Sequence, residues 1–185
     1  MGSEKMNEVT FLTNQLAPVS CNATLIVTSH RVFQPDLNEH DSVFGGKILS
    51  LVDDSAYVVA VRLTHKTVVT ASFDHVSFLR PFHLDDSMFL EAYVTGTGTR
   101  SLEVFVKIIG ENLTTGECFV GYTCFITYVI EDPTASDPLP DMVPVTAEQR
   151  YICAGYAKRT AQRKERRVEQ RGLNAHVTVS SPWPM

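Results

Sequence analysis

The chain is 185 residues long, and this length suits one domain built around one hydrophobic core. Its hydrophobic content of 44% and its charged content of 20% exclude global disorder. A net charge of -5 argues against a nucleic-acid-binding surface that covers the whole chain.

The cysteines and the apolar runs indicate the cellular compartment. The four cysteines are far apart and form no CxxC pair, so the sequence predicts neither a zinc site nor a redox motif. They are Cys21, Cys118, Cys124 and Cys153. We find no signal-peptide pattern, and no apolar run reaches the roughly 18 residues that a spanning helix needs. The six histidines show no metal-binding spacing, so we expect no metal. These features predict a cytoplasmic protein with reduced thiols and no membrane association.

The first part of the chain predicts one strand and one long loop. Residues 1–22 are mixed in composition, and we expect them to be irregular. Residues 23–33 are rich in β-branched side chains, a composition typical of a strand. Pro35 and the polar residues 36–42 then predict a long loop.

Gly45 and Gly46 open a segment with helical periodicity. Between residues 47 and 63, apolar side chains recur every three or four positions, and they are Ile48, Val52, Ala56, Val59 and Leu63. Further apolar residues cover most of the remaining circumference. The sequence therefore predicts a long helix that is buried on nearly all sides.

Four strands are predicted after the helix, and short turns join them. They cover residues 68–79, 87–97, 100–111 and 117–130. Residues 117–130 are apolar on both faces, which indicates a central strand of the sheet. One buried helix followed by tightly connected strands predicts an α+β domain over residues 23–131. In it, an antiparallel sheet of five strands curves around the helix.

The remainder of the chain differs in composition. Four prolines between residues 132 and 146 predict a linker that cannot be a strand or a helix interior. Residues 147–171 are predicted to form a polar helix, in which residues 158–171 carry seven Lys or Arg, and residues 172–185 a loose tail. The basic side chains form either a solvated face or a counter-surface for a negatively charged nucleotide. No aromatic residues are interleaved with them, so we expect no nucleic-acid partner.

Five motifs carry a resemblance to a known family. They are Asn38-x6-Gly45-Gly46, Ile48-Leu49-x2-Val52-Asp53-Asp54-x-Ala56, Val68-Val69-Thr70-Ala71-Ser72, Val76-x-Phe78-x2-Pro81 and Gly98-Thr99-Arg100-Ser101-Leu102-Glu103-Val104. In this order and spacing the chain resembles the acyl-CoA thioesterases of the cytosolic and brain acyl-CoA hydrolase type. The resemblance implies a hotdog fold, hydrolysis of acyl-CoA, and no cofactor beyond the CoA of the substrate. It also implies a homodimer at minimum, further assembled to a hexamer as a trimer of dimers.

Thioester hydrolysis needs a polarised carbonyl and a base or nucleophile. Free N–H groups at the helix start, at Gly45 and Gly46, can polarise the carbonyl, and glycine lets a substrate approach the backbone closely. Asp53 is the predicted carboxylate, acting either on water or directly as a nucleophile. Asp54 is the alternative, and it points about 100° away around the helix. The resemblance implies that Asn38 orients the water or holds the thioester; a plain turn asparagine is the alternative.

The spacing within the helix bears on the assembly. Gly46 and Asp53 are seven residues apart, which is about 10 Å along a helix axis. One thioester cannot easily contact both on the same helix. Two helices packed antiparallel across a twofold axis would bring the start of one opposite the carboxylate of the other. The spacing therefore favours a dimer with two shared sites.

The predicted CoA-binding residues lie on a strand, on a turn and before a proline, and they are Thr70, Ala71, Ser72, Thr99, Arg100, Ser101 and Arg80. The resemblance assigns the strand to the pantetheine arm, for which Thr70 and Ser72 are small enough to leave room. The turn offers backbone donors, two hydroxyls and a guanidinium, a set suited to phosphate. For each arginine, a plain surface charge is the alternative.

Two other functions are possible for such a domain. A 3-hydroxyacyl thioester dehydratase would carry a histidine beside an acid on the helix, and no histidine precedes His65 there. A non-enzymatic acyl-CoA-binding module would have the pocket without the base, and the presence of both Asn38 and Asp53 counts against it. Acyl-CoA hydrolysis is therefore the leading hypothesis.

Overall fold

A computed structural model of the chain describes residues 16–180. In chain order its elements are β1 (Val19–Ser20), α1 (Cys21–Thr24), β2 (Ile26–Arg31), a single 3-10 turn (Gln34–Asp36), α2 (Gly45–Thr64), β3 (Val68–Phe78), β4 (Asp86–Thr97), β5 (Ser101–Asn112), β6 (Cys118–Ile130), β7 (Met142–Val143), α3 (Ala147–Ala154) and α4 (Tyr156–Asn174). No helix in this part of the chain is both long and apolar enough to cross a membrane.

The five long strands form one antiparallel sheet in the order β2-β4-β5-β6-β3. The predicted sheet of five antiparallel strands with one long helix is thereby confirmed, with β6 inside the sheet and β5 in the middle. Helix α2 packs on one face of the sheet, where Val52, Ala56 and Val59 are fully buried. Alternate residues of β5, such as Val104 and Val106, belong to the same hydrophobic cluster.

Helix α2 is buried on one face only within a single chain. Tyr57 and Val58 remain 41% and 47% exposed on its other face. Strand β3 lies at the edge of the sheet, and its Val69 and Phe78 are exposed as well. The predicted burial of the helix on nearly all sides is therefore wrong for a single chain, whose α2 leaves an apolar surface exposed.

Helices α3 and α4 cover the opposite face of the sheet. A second hydrophobic cluster lies there, in which Tyr93 and Phe105 pack with Cys21 and Ile152. The ring of Tyr156 sits directly against Gly96, where any larger residue would collide with it. The sheet is therefore a middle layer between α2 and the C-terminal helices, as the two apolar faces of its interior strands require.

Three predictions about the ends of the domain are corrected. Residues 1–15 of the predicted irregular N-terminus lie outside the described part of the chain, and residues 16–22 contain β1 and the first half of α1. The Ser20 hydroxyl caps α1 by accepting from the Asn22 N–H at 3.2 Å. The predicted first strand therefore begins at Ile26 rather than at residue 23. The proline-rich linker contains β7, which pairs in parallel with β1. Pro140 and Pro144 lie outside the two residues of β7, so no proline interrupts the pairing.

The predicted C-terminal helix is two helices. The helix is interrupted at Gly155. The Gly155 N–H donates to the carbonyl of Ile152 at 3.2 Å, and α3 ends there. Helix α4 then runs to Asn174, so the first residues of the predicted loose tail are helical. Residues 175–180 have no regular structure, and residues 181–185 lie outside the described part of the chain.

Candidate active site

Asp53 lies in the middle of α2, and its carboxylate faces two strands of the sheet. The Thr70 hydroxyl on β3 donates to its Oδ1 at 2.9 Å. The Tyr128 hydroxyl on β6 lies 3.1 Å from the same oxygen and 3.1 Å from the Asp53 carbonyl. Thr70 and Tyr128 are direct cross-strand partners, so their side chains point to the same face of the sheet. The register of β3 and β6 thus places two donors on one carboxylate oxygen.

The two oxygens of this carboxylate have different surroundings. Oδ1 accepts from both hydroxyls, whereas no donor within residues 16–180 reaches Oδ2. Burial raises the pKa of Tyr128, and the negative charge of Asp53 raises it further, so the phenol remains a neutral donor. The arrangement fixes the direction of the carboxylate and leaves Oδ2 free to take a proton or to attack a carbonyl.

Asp54, the alternative carboxylate, lies on the exposed side of α2. No hydrogen bond or ion pair of its side chain occurs within the described residues. Its orientation away from the sheet matches the expected turn of about 100° between successive helical residues. No residue between 16 and 180 orients the Asp54 carboxylate, which favours Asp53 as the reactive group.

The start of α2 presents free backbone donors. Phe44 occupies the cap position and makes no side-chain cap bond. The N–H groups of Gly45 and Gly46 have no acceptor among residues 16–180, whereas the N–H of Lys47 bonds to the Phe44 carbonyl at 2.9 Å. Gly45 also lines a cavity of about 250 Å³ with Phe78 and other residues. This helix start can therefore bind a developing negative charge on oxygen.

Asn38 stabilises the loop before α2. Its Oδ1 accepts from the N–H groups of His40 at 2.9 Å and Ser42 at 3.3 Å, and from the Ser42 hydroxyl at 3.2 Å. This geometry is that of a turn asparagine. Its amide nitrogen donates to no acceptor in the described part of the chain, so this nitrogen can still donate a hydrogen bond to a ligand.

Asp36 holds the same loop, and its role was not predicted from the sequence. Its Oδ2 accepts from the Phe33 N–H at 2.9 Å and lies 2.8 Å from His30 Nε2. Its carbonyl accepts from the Phe44 N–H at 2.8 Å. Burial alone would raise the pKa of Asp36, but these donors and Lys47 outweigh burial and lower it. An aspartate after a proline in a polar loop carries no sequence signal for this role.

The predicted pantetheine strand does not present its three residues to one surface. Thr70 belongs to the Asp53 group, and the pairing of β3 shifts register between Thr70 and Ser72. The Ser72 hydroxyl instead donates to Asp74 Oδ2 at 3.1 Å. Ala71, between them, is exposed. A bulge of this kind turns successive side chains in different directions.

Comparisons with known proteins decide the family. Residues 40–117 match the model of the thioesterase superfamily. An uncharacterised acyl-CoA thioester hydrolase of Bacillus subtilis is 40% identical over 164 residues, which cover 88% of this chain and 95% of the relative. The chain belongs to the thioesterase superfamily. The predictions of a hotdog fold and of a thioester-hydrolysing enzyme are thereby confirmed.

Solved structures agree with this assignment. An acyl-CoA hydrolase from Bacillus cereus is 37% identical, and the match covers 86% of this thioesterase and 98% of that chain with a TM-score of 0.81. An acyl-CoA hydrolase from Staphylococcus aureus, solved with butyryl-CoA, CoA and CoA disulfide, is 27% identical. That match covers 85% of this chain and 97% of the other with a TM-score of 0.79.

The predicted phosphate-binding residues of the thioesterase lie at two places. Arg80 pairs with Glu117 at 2.7 Å and stacks on the Phe119 ring, with its guanidinium carbon 4.1 Å from the ring centre. Arg100 is half-buried, and its Nη2 donates to the Ile130 carbonyl at 3.0 Å. Arg80 is exposed, so a plain surface charge remains the alternative for it. Arg100 is instead tied to the end of β6.

The turn before β5 faces basic residues of α4. Thr99 is exposed, while Ser101 lines a cavity of about 80 Å³ that Lys164 and Arg167 also line. A larger cavity of about 340 Å³ lies next to it, between Arg167 and the strand residues Ala71 and Ser72. No local pattern in the sequence indicates that the turn, the strand and the helix meet.

Helix α4 is docked through buried charges rather than merely solvated. Glu103 is 0% exposed, and its carboxylate accepts from Arg159 Nη2 at 2.8 Å and from Arg163 Nη1. Asp74, also buried, accepts from Arg166 at 3.0 Å. Burial alone would raise the pKa of Glu103, but the bonds from Arg159, Thr95 and Arg163 outweigh it and lower the pKa. No group of carboxylates, thiols and imidazoles within residues 16–180 is arranged to hold a metal.

Proposed function

We propose that this thioesterase hydrolyses acyl-CoA to CoA and a carboxylic acid, with Asp53 as general base or nucleophile. The observation that carries the proposal is the fixed Asp53 carboxylate, which has two hydroxyl donors on Oδ1 and none within residues 16–180 on Oδ2. The acyl-CoA substrate is supported by the Bacillus relatives, which are named acyl-CoA hydrolases. CoA is part of the substrate, and no cofactor is needed because Asp53 and the helix start supply the required chemistry.

Variants of the Staphylococcus aureus hydrolase support the choice of residues. That enzyme has been solved with alanine in place of an asparagine, an aspartate and a threonine, which follow one another at intervals of 15 and 17 residues. Asn38, Asp53 and Thr70 are separated by the same intervals here. The match supports a role for Asn38 in orienting water or the thioester, beyond its role in the loop.

The reaction begins with the thioester carbonyl oxygen at the start of an α2 helix. The N–H groups of Gly45 and Gly46 stabilise the negative charge that develops there when the carbonyl carbon is attacked. Asp53 either removes a proton from the attacking water or attacks directly and forms a mixed anhydride. Label found in Asp53 after hydrolysis under single-turnover conditions in ¹⁸O-labelled water would require the anhydride, because direct attack of water labels only the product acid.

A homodimer is the proposed minimum unit, with each site shared between two chains. Gly46 and Asp53 are about 10 Å apart along one helix, and the exposed Tyr57 and Val58 offer an apolar surface on α2 beside the edge strand β3. A hexameric acyl-CoA thioesterase that is 32% identical, with a TM-score of 0.76, supports further assembly to a trimer of dimers.

Mixing two inactive variants tests the shared site. Asp53→Asn and Gly46→Val damage different halves, so a mixed dimer contains one intact site if each site takes its halves from different chains. Refolding equal amounts together should restore about one quarter of the activity by random pairing. If each chain carries a complete site, no mixture regains activity. An active monomer by light scattering would also contradict the shared site.

The nucleotide end of CoA is proposed to lie against the turn Thr99–Ser101, and the pantetheine arm along the main chain of residues 70–72. Arg80 and the basic face of α4 are further candidates for phosphate contacts. The cavities that join Ser101, Lys164 and Arg167 support this placement, because guanidinium and ammonium groups bind phosphate strongly.

Arg100→Ala tests the phosphate contact. Loss of a charge-assisted contact of about 1.5–3 kcal/mol should raise KM roughly 10- to 100-fold with little change in kcat, because the contact is the same in ground and transition states. The effect should shrink at high salt and vanish for a pantetheine thioester without the nucleotide. The matched variant is Lys164→Ala, which removes a basic side chain from the helix that faces the turn. An equal loss on both substrates would mean that Arg100 only supports the end of β6.

The experiment that tests the activity follows CoA release. A thiol reagent should report hydrolysis with acyl-CoAs between C2 and C18 in chain length. Binding without release would indicate an acyl-CoA-binding module, and formation of an enoyl product from a 3-hydroxyacyl-CoA would indicate a dehydratase. A cytoplasmic location is part of the proposal, because acyl-CoA substrates and four free thiols suit a reducing compartment.

A further inference from the structure

Two cysteines that are distant in sequence meet beneath the C-terminal helices. The Sγ atoms of Cys21, in α1, and Cys153, in α3, lie 3.7 Å apart, although 132 positions separate the residues. Cys21 is fully buried, whereas Cys153 is half-buried and reaches the surface. The pair has no CxxC spacing, so the sequence predicts only isolated, reduced thiols.

The surroundings of the pair favour a reaction between the two sulfurs alone. Tyr93, Phe105 and Ile152 surround it with apolar surface, and no third metal-binding side chain joins it within residues 16–180. The hydrogen bond between the thiols lowers the pKa of Cys21 and raises that of Cys153. The two sulfurs therefore share the remaining proton once one is lost, which keeps a nucleophilic sulfur beside a second sulfur.

The other two thiols lack this arrangement. Cys118 is exposed at the start of β6, and its sulfur lies 3.8 Å from the Gly116 carbonyl. Cys124 is fully buried in the core on β6, and burial raises its pKa to about 12. Reactivity toward an oxidant needs both thiolate character and access. Only the pair combines a thiol with a lowered pKa and a neighbour that solvent can reach.

We propose that Cys21 and Cys153 form an oxidation site, which closes to an intramolecular disulfide when the protein meets a peroxide. Once the pair has lost one proton, the proton that remains moves to the Cys21 sulfur, and the solvent-accessible Cys153 attacks the peroxide as a thiolate. Cys153 becomes a sulfenic acid, and the hydroxide that is released takes up a proton and leaves as one water. The Cys21 sulfur then attacks that sulfur, forms the S–S bond and expels the hydroxyl, which leaves as a second water with the Cys21 proton. The two thiols together lose two electrons, and these reduce one hydrogen peroxide to two waters.

The geometry requires little rearrangement. Closing from 3.7 Å to a bond of about 2.05 Å moves the sulfurs together by about 1.7 Å, and both side chains lie at the ends of short helices. The bond would join α1 to α3, the helix directly before α4, whose Arg159 and Arg163 bind Glu103 of the sheet. The site lies on the face of the sheet opposite α2, so oxidation should leave Asp53 unaffected.

Peptide mapping under non-reducing conditions tests the site directly. The full chain carrying Cys118→Ser, which removes the exposed thiol, is treated with hydrogen peroxide or with dithiothreitol. We expect a linked peptide that contains Cys21 and Cys153 and has lost two hydrogens, and the link should disappear on reduction. The oxidised form should unfold about 5–15 °C higher than the reduced form, as is typical for a disulfide that closes a long loop.

The controls make the outcomes distinct. Cys153→Ala should yield no linked peptide and no shift in the unfolding temperature on oxidation. Sulfinic acid on Cys153 without a link to Cys21 in the treated protein would overturn the proposal. So would a link between either cysteine and Cys124, or between two chains. The peptide map of the unsubstituted chain separates the same outcomes even if a variant fails to fold.

Discussion

Two carboxylates, one on each side of the sheet, are held in opposite ways. Asp53 on the α2 side receives neutral hydroxyl donors on one oxygen, while its other oxygen has no donor within residues 16–180. Glu103 on the α4 side receives two arginines and Thr95, which together occupy both oxygens. Both are held by several donors, so the number of contacts does not separate a reactive group from a structural one.

The chemistry of the donors does separate them. A hydroxyl orients a carboxylate without neutralising it, so Asp53 keeps its charge and one open oxygen for the substrate. Guanidinium groups neutralise Glu103 and consume its lone pairs, which makes it a docking point for α4. A carboxylate with neutral donors and one free oxygen is therefore the stronger candidate for catalysis. The following variants test this comparison, from the largest expected effect to the smallest.

Asp53→Asn should remove most of the hydrolysis. An amide cannot act as base or nucleophile but can keep the bonds to Thr70 and Tyr128, so we expect at least a 100-fold lower kcat with the fold intact. General bases typically contribute about 10²–10⁴-fold. CoA release and circular dichroism measure the two effects. Asp54→Asn is the control and should behave like the parent; the reverse result would place the base one position later.

Glu103→Gln should destabilise the protein without disabling the site. It leaves Arg159 and Arg163 partly buried without their counter-charge, and breaking a buried ion pair typically costs about 3–5 kcal/mol. Urea unfolding at fixed protein concentration measures the free energy of unfolding. Glu117→Gln, in the exposed pair with Arg80, should change it very little. A large loss of kcat in Glu103→Gln at unchanged stability would contradict the assignment of Glu103 as a structural carboxylate.

Tyr128→Phe removes one of the two donors to Asp53 and should lower kcat by about 10-fold, because a hydrogen bond to a charged group contributes about 1.5–3 kcal/mol. The matched control is Tyr93→Phe on the α4 side, whose hydroxyl lies 3.5 Å from Glu148. That variant should leave kcat unchanged. Equal effects in both would show that loss of any buried phenol, rather than the contact with Asp53, slows the reaction.

Acid should weaken the ion pairs between Glu103 and helix α4. The pKa of Glu103 is lower in the folded protein than its usual value of 4.5, because its arginine and Thr95 partners outweigh burial. Its contribution to stability is therefore complete above pH 4.5 and is lost as the pH falls through the lowered pKa. The free energy of unfolding should be flat between about pH 5 and 7 and should decline below, and Glu103→Gln should decline less steeply. A parallel decline in both would assign the acid sensitivity to other groups such as Asp36.

Periodicity in the sequence was sufficient to locate the main elements. The strands of the predicted sheet after α2 begin and end within one residue of their observed bounds, because alternation and glycine turns are local signals. Asp53 stood out because an acid amid apolar residues is unusual. Tyr128 did not, since an aromatic residue in an apolar strand is indistinguishable from core until the register with Thr70 is known.

The prediction for residues 132–171 missed tertiary contacts for the same reason. A helix rich in Lys and Arg has the composition of a solvated face, and nothing local shows that Glu103 lies beneath it. Strands of two residues, such as β1 and β7, are too short to have a periodicity. Contacts between residues far apart in the chain decided each of these features, and single-sequence patterns do not encode them.

The parallel pairing of β1 with β7 sets the timing of folding during synthesis. Val19 pairs with Met142, more than 120 residues later in the chain. At about 5–20 residues per second, a ribosome needs roughly 6–25 s to make that stretch. The five-stranded sheet can form during this interval, and α1 can already contact β4, where the Val94 N–H donates to the Thr24 hydroxyl at 3.0 Å. Val19 and Ser20 cannot pair until β7 has emerged. Cys153, which follows Cys21 by 132 positions, is made later still, so Cys21 lacks this neighbour on the nascent chain throughout that time.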